Sequence, residues 1–207
     1  MSHPVSVVIT YHSGYGHTAR QAQAVARGAR SVSGVAVGLR DVSVLDDELW
    51  HELDLADAII FGTPAYFGSQ SSVFQAFAEA TAGIWARQGW QDKLAAGFTN
   101  SSGLNGDKGN VLASLAVFAA QHGMQWISLG LLPGWNTTAG SIDDLNRLGG
   151  FMGALAQSPA DAPADVAPPD TDLRTAEHLG RRVAEKAVQW ALIRRSLVRP
   201  VAGARTP

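Results

Sequence analysis

The segment that most constrains the fold is the run Val5 to Tyr11 (VSVVITY), followed at once by Ser13-Gly14-Tyr15-Gly16-His17-Thr18 and then by alanines at helical spacing. A strand apolar at both parities must be covered on both of its faces. Two glycines within the next few residues let the chain turn tightly into a helix, the entry to a βαβ unit. The helix shows Ala19, Ala22, Val25, Ala26 and Ala29 on one stripe, with Arg20, Gln23, Arg27 and Arg30 facing outward.

The pattern repeats along the chain. Val35 to Val42 alternates as a second strand, Ala56 to Phe61 reads as a third, Lys93 to Phe98 as a fourth and Gln125 to Leu129 as a fifth. Helical spacing recurs over Ser71 to Trp85, Val111 to His122 (stopped by Gly123) and Leu173 to Arg195. The expected architecture is therefore α/β: a five-stranded parallel sheet, order 2-1-3-4-5, with helices on both faces, the flavodoxin-like arrangement. Residues 1–190 read as one domain. It includes a surface excursion at about 131–169, rich in Gly, Pro, Ala and Asp and longer than ordinary connections. Residues 191–207 read as a basic tail carrying Arg194, Arg195, Arg199 and Arg205, a solvated helix end followed by a frayed terminus.

Composition excludes several functions. With no cysteine, the chain has no disulfide scaffold, thiolate metal site or cysteine nucleophile, so any redox chemistry needs an organic cofactor. A net charge of −2 gives no basic surplus for nucleic acid. It also gives no strongly acidic field of the kind that steers electron carriers to partners. No apolar run approaches the ~20 residues that span a bilayer, and the start has no secretory leader pattern, so the expectation is a soluble, cytoplasmic protein. His12, His51 and His178 have no partners at metal-ligand spacing.

An open parallel sheet binds ligands beyond the carboxyl ends of its strands, where strand order reverses. The loop Ser13 to Thr18 lies there, with two glycines, the Ser13 and Thr18 hydroxyls and a helix N-terminus but no Lys or Arg, so it would hold a phosphate through neutral donors. The same letters satisfy G-x-G-x-x-A, a dinucleotide fingerprint, with Arg40 placed to meet a 2′-phosphate; five strands favour a mononucleotide. Two further loops end the third and fourth strands: Pro64-Ala65-Tyr66-Phe67-Gly68 and Asn100-Ser101-Ser102-Gly103-Leu104-Asn105. A flavin ring needs flat apolar contact and backbone hydrogen bonding along its pyrimidine edge, and these loops carry both.

These residues resemble the flavodoxin-like NAD(P)H:quinone oxidoreductases of the tryptophan-repressor-binding-protein (WrbA) type. The resemblance rests on Tyr15-Gly16-His17, Phe61-Gly62-Thr63-Pro64 with Phe67-Gly68, Gly83-Ile84-Trp85-Ala86, and His122-Gly123-Met124. It implies FMN as cofactor, NAD(P)H as donor, a quinone as acceptor, and a homo-oligomer, dimer or tetramer. It places Ser13, Gly14, Tyr15, Gly16, His17 and Thr18 on the phosphate and Ala65, Tyr66 and Phe67 on the ring. Asn100 to Asn105 fall on the ring edge and ribityl chain, and His122 beside the ring with Phe67. Tyr15 and Trp85 then shape the nicotinamide and quinone site. The sequence departs from the family in having Tyr66 where arginine is usual, a short connection over Asp41 to Leu55, and a poorly matched stretch after Leu131. An FMN reductase that exchanges its flavin, and an electron carrier without a substrate of its own, are the alternative readings.

Overall fold

The computed structural model describes residues 4–197. Strand β1 (Val5–Tyr11) leads into α1 (His17–Arg30), β2 (Val35–Asp41) into α2 (Asp47–Leu55), and β3 (Ala58–Tyr66) into the short β4 (Ser69–Gln70). Helices α3 (Ser72–Ala80) and α4 (Ala82–Ala86) precede β5 (Leu94–Ser101) and α5 (Lys108–Gln121). Then come β6 (Gln125–Trp126), β7 (Ala154–Gln157) and α6 (Asp170–Leu197). The sheet runs β2-β1-β3-β5-β6, with β4 hydrogen-bonded to β3 and β7 to β5.

The expected order therefore holds, with one refinement. β6 pairs with Leu94 and Ala95 at the start of β5, while β7 pairs with Phe98 to Ser101 at its end. The fifth strand position is filled in two pieces, and residues 127–153 are inserted between them. The excursion read from the sequence thus contains sheet. Its insertion is fastened by polar bonds: Trp126 Nε1 donates to the Met152 carbonyl at 2.9 Å, and Asn146 Nδ2 to the Leu131 and Gly150 carbonyls at 3.2 and 2.9 Å. Such bonds leave no hydrophobic period to read.

Alternate residues of the central strands feed two cores. Val7, Ile9, Ile60 and Phe98 pack under α1 and α6, while Val8, Ile59 and Phe61 pack with Phe74, Phe77 and Trp90 under α3 and α5. Helices α1 and α6 cross at backbone contact, since a Cβ on Gly28 or Gly180 would run into the facing helix at the Glu177 or Val25 carbonyl. The helix expected over Ser71 to Trp85 is interrupted at Thr81, whose Oγ1 bonds back to the Ala78 carbonyl at 2.6 Å. Of the basic tail, residues 198–207, with Arg199 and Arg205, lie outside the described residues, as does the side chain of Arg195.

Strands β3 and β5 run further than Phe61 and Phe98, and this extension positions the site. It carries Thr63 to Tyr66 and Thr99 to Ser101 out beyond the core in strand register, with Thr63 opposite Thr99 and Pro64 opposite Asn100. Thr99 Oγ1 donates to the Thr63 carbonyl at 2.7 Å and locks the two ends together.

Candidate functional site

A cavity of about 510 Å³ opens at the carboxyl end of the sheet, between the loops that follow β1, β3 and β5. That is the switch point of the strand order, and the volume lies within the usual range for a small-molecule or cofactor site. Ser13, Gly14, Tyr15, His17 and Thr18 line it from the first loop, Pro64, Ala65 and Tyr66 from the second, and Asn100, Ser101 and Ser102 from the third.

The first loop is built to meet an anion. Gly16 stands at the N-cap of α1 with φ 88°, in the left-handed region that favours glycine, and α1 has neither a side-chain cap nor an acidic residue in its first turn. Its leading amides are therefore open to a ligand, at the positive end of the helix dipole. Ser13 Oγ is buried without a hydrogen-bond partner, a donor awaiting an acceptor.

The fourth wall came from residues that the sequence reading missed. Ser158, Ala160, Ala162, Pro163 and Ala164 line the cavity from the end of the excursion. His17 Nε2 lies 2.8 Å from the Ala162 carbonyl, and Arg20 Nη1 donates to the Ala164 carbonyl at 3.2 Å. A Cβ on Gly16 would stand 2.7 Å from Ala164 Cβ. The only local signal was the run of small residues from Ser158 to Ala164, which permits close approach but announces no chemistry.

Tyr66 and Phe67 diverge. The Tyr66 hydroxyl lies over Gly14, where a Cβ would collide with it. Burial, with a smaller effect of Tyr15, raises the Tyr66 pKa, so at neutral pH the phenol is a neutral donor. Phe67 and Gly68 form the two-residue tip of the β3–β4 hairpin, at φ 50° and 77°. Phe67 is fully exposed (110%) and does not line the cavity, contrary to the expectation that it covers the ring, because the turn aims it outward. Gly68 is tied to α5 instead, its carbonyl accepting from Asn110 Nδ2 at 2.8 Å.

The third loop is held from behind. Lys108 Nζ donates to Ser101 Oγ at 2.8 Å and to the Gly103 carbonyl at 2.7 Å, and Gln157 Nε2 donates to the Ser102 carbonyl at 2.9 Å. Gly103, Leu104 and Asn105 do not line the main cavity; Leu104 and Asn105 face a smaller space on the loop's other side, with Lys108, Trp135 and Arg147.

Two expected site residues sit elsewhere. His122 is 2% exposed at the C-terminal end of α5, beside the start of β5, and so at the opposite edge of the sheet from the cavity. Its ring packs against Trp90 and Phe118 at 4.6 and 4.9 Å, and Nε2 pairs with Thr81 Oγ1 at 2.9 Å. Within one chain it therefore does not line the cavity: helices run antiparallel to the strands they follow, so a residue ending α5 lies at the amino ends of the strands. Trp85 on α4 is at that same edge, half-exposed, next to Arg87, which pairs with Asp54 at 3.3 Å. Arg40 likewise faces no ligand; it forms ion pairs with Glu52 and Glu48 at 2.6 and 2.7 Å, which removes the cation that the dinucleotide reading required.

Taken together, an open parallel sheet, an uncapped helix N-terminus with a waiting hydroxyl, and two glycine-bearing strand-end loops define a flavodoxin-like mononucleotide site. The donor set fits the phosphate of FMN, held by neutral dipoles, and the cavity beside it accommodates a flat ring. Comparison with known proteins agrees. Residues 12–132 match the family of NADPH-dependent FMN reductases. The chain is 47% identical over 177 residues to flavodoxin FldP of Pseudomonas aeruginosa, covering 86% of this chain and 94% of that protein. It is 31% identical to an NAD(P)H dehydrogenase (quinone) of Geotalea uraniireducens, over 90% of this chain and 100% of that one. A crystal structure of a WrbA-like flavodoxin from Agrobacterium tumefaciens superposes with a TM-score of 0.71 at 40% identity, covering 89% of this chain and 98% of the other. The chain belongs to the NADPH-dependent FMN reductase family and, within it, to the WrbA type. It is a flavodoxin-like oxidoreductase with FMN as cofactor and NAD(P)H as electron donor.

Proposed function

We propose that the protein is an NAD(P)H:quinone oxidoreductase. The observation that carries this reading is the mouth of the cavity, where Tyr15 is 79% exposed beside Tyr66 at 36%, with Phe67 projecting at the hairpin tip. Aromatic side chains left in water around a cofactor pocket suit a flat, apolar acceptor that stacks and leaves again. The chemistry FMN supplies when bound is two-electron transfer between a nicotinamide and such an acceptor.

The chain's own work is orientation. Ser13, Thr18 and the first amides of α1 hold the phosphate; Ala65 and Tyr66 shape the ring's surroundings; Asn100, Ser101 and Ser102 present backbone groups to the ring edge and ribityl chain. Tyr66, a neutral phenol at pH 7, leaves the pocket without a fixed positive charge at that position and so favours uncharged acceptors.

An electron carrier is the second reading, favoured by the 47% identity to a protein named as a flavodoxin. The two separate cleanly. The purified protein, loaded with FMN and mixed with NADPH and benzoquinone, oxidises NADPH with repeated turnover if it is a quinone reductase. A protein that binds FMN yet is reduced by NADPH only when a separate reductase is added is a carrier. One that takes up no FMN refutes both.

A further inference from the structure

Lys108 is the first residue of α5, yet it is 1% exposed and its side chain turns inward under the third loop. Nζ bridges Ser101 Oγ and the Gly103 carbonyl, and Ser101 Oγ donates to that same carbonyl at 3.0 Å. The loop curls tightly around this triangle; a Cβ on Gly106 would run into Ser101 Oγ. Ser101 itself lines the cavity, so the ammonium stands one residue behind the cavity wall.

Holding a loop does not require a charge, and this is a costly place for one. An ammonium at a helix N-terminus opposes the helix dipole, and its removal from water is a further cost. Burial lowers the Lys108 pKa to about 8; Asp172 acts to raise it and Arg147 to lower it. These two neighbours neutralise one another in a buried, two-pronged ion pair, Arg147 Nε and Nη2 each 2.8 Å from an Asp172 oxygen. The cluster behind the loop therefore keeps a surplus of one positive charge at neutral pH, carried by Lys108.

We propose that Lys108 is a positioning residue that, by gripping Ser101 and Gly103, holds the Ser101–Ser102 backbone against the cofactor and sets the cofactor's reduction potential through its buried charge. This rests on the reading that Asn100, Ser101 and Ser102 face the flavin's ring edge. A fixed positive charge behind that edge favours the reduced cofactor, which is the more negative form. Its loss lowers the affinity for reduced relative to oxidised FMN. A tenfold loss is about 30 mV for a two-electron couple.

The test is the midpoint potential of bound FMN, by dye-linked reductive titration, in the wild type, K108M and K108R. K108M is expected to bind FMN with its potential lowered by the equivalent of a tenfold affinity ratio, and K108R, which keeps the charge, to stay close to the wild type. The wild-type potential should fall more steeply with pH between about 8 and 9 than on either side, and K108M should lack that steeper segment. If K108M does not fold, the wild-type pH profile decides. A K108M that holds FMN at the wild-type potential, or a wild type with no steeper segment near pH 8, overturns the role of Lys108 and leaves the cofactor site standing. A wild type that takes up no FMN overturns the cofactor reading itself, and this proposal with it.

Discussion

Replacing Asp172 with alanine strips the counter-charge from a buried guanidinium. Both side chains of the Arg147–Asp172 pair are almost wholly buried, at 3% and 2% exposure. Asp172 accepts two charge-assisted bonds from Arg147 at 2.8 Å, and its Oδ2 also accepts from the Gln157 backbone N–H at 2.9 Å. Removing one partner of a buried ion pair costs about 3–5 kcal/mol, because the other charge is left unpaired out of water. Leaving the Gln157 amide without an acceptor adds about 1 kcal/mol. The expected loss of about 4–6 kcal/mol is a large share of the ~5–15 kcal/mol that stabilises a domain. With an m-value near 2–3 kcal/mol/M, equilibrium unfolding in urea should show the midpoint falling by about 2 M. The double variant R147M/D172L removes both charges and should recover most of the loss, leaving about 1–2 kcal/mol. Because Gln157 also holds the Ser102 carbonyl, D172A should weaken FMN binding as well. A D172A midpoint within about 0.3 M of the wild type, or a double variant no better than the single one, refutes this account.

Ser13→Ala should reduce FMN affinity about tenfold in a flavin-fluorescence titration while leaving the urea midpoint unchanged, since the hydroxyl it removes has no partner within the protein. Gly16→Ala places a Cβ at φ 88° and 2.7 Å from Ala164 Cβ; it should cost about 1–2 kcal/mol of stability and at least about tenfold in FMN affinity by the same titration. Burial lowers the pKa of His122 below its ordinary 6.5, so the unfolded chain binds more protons on acidification. Stability is therefore fullest above pH 6.5 and falls as the pH drops toward the folded value, and H122F, compared by urea midpoints between pH 7 and 5, should flatten that fall. Since Thr81 Oγ1 donates to the Ala78 carbonyl, His122 donates from Nε2 and keeps Nδ1 bare in the apolar core, which is why the charged form is disfavoured there.

The layered sheet, its strand order and three of the cavity's walls are legible in the residues alone. Each of those is written in local terms: Val5 to Tyr11 is apolar at both parities, and Gly14 and Gly16 mark a turn that a bulkier chain could not make. Tertiary structure decided the rest. That Ser158 to Ala164 close the fourth wall depends on β7 pairing with the far end of β5, a contact between residues remote in sequence and made by backbone bonds that leave no side-chain period. That Phe67 faces solvent follows from a hairpin tip, and that His122 and Trp85 lie at the amino ends of the strands follows from helix direction; a motif of adjacent letters encodes neither. Lys108 lies in sequence within a polar, glycine-rich stretch ahead of the helix read from Val111, with nothing local to mark it. Only packing turns it inward, against the dipole and away from water, to meet Ser101 and Gly103.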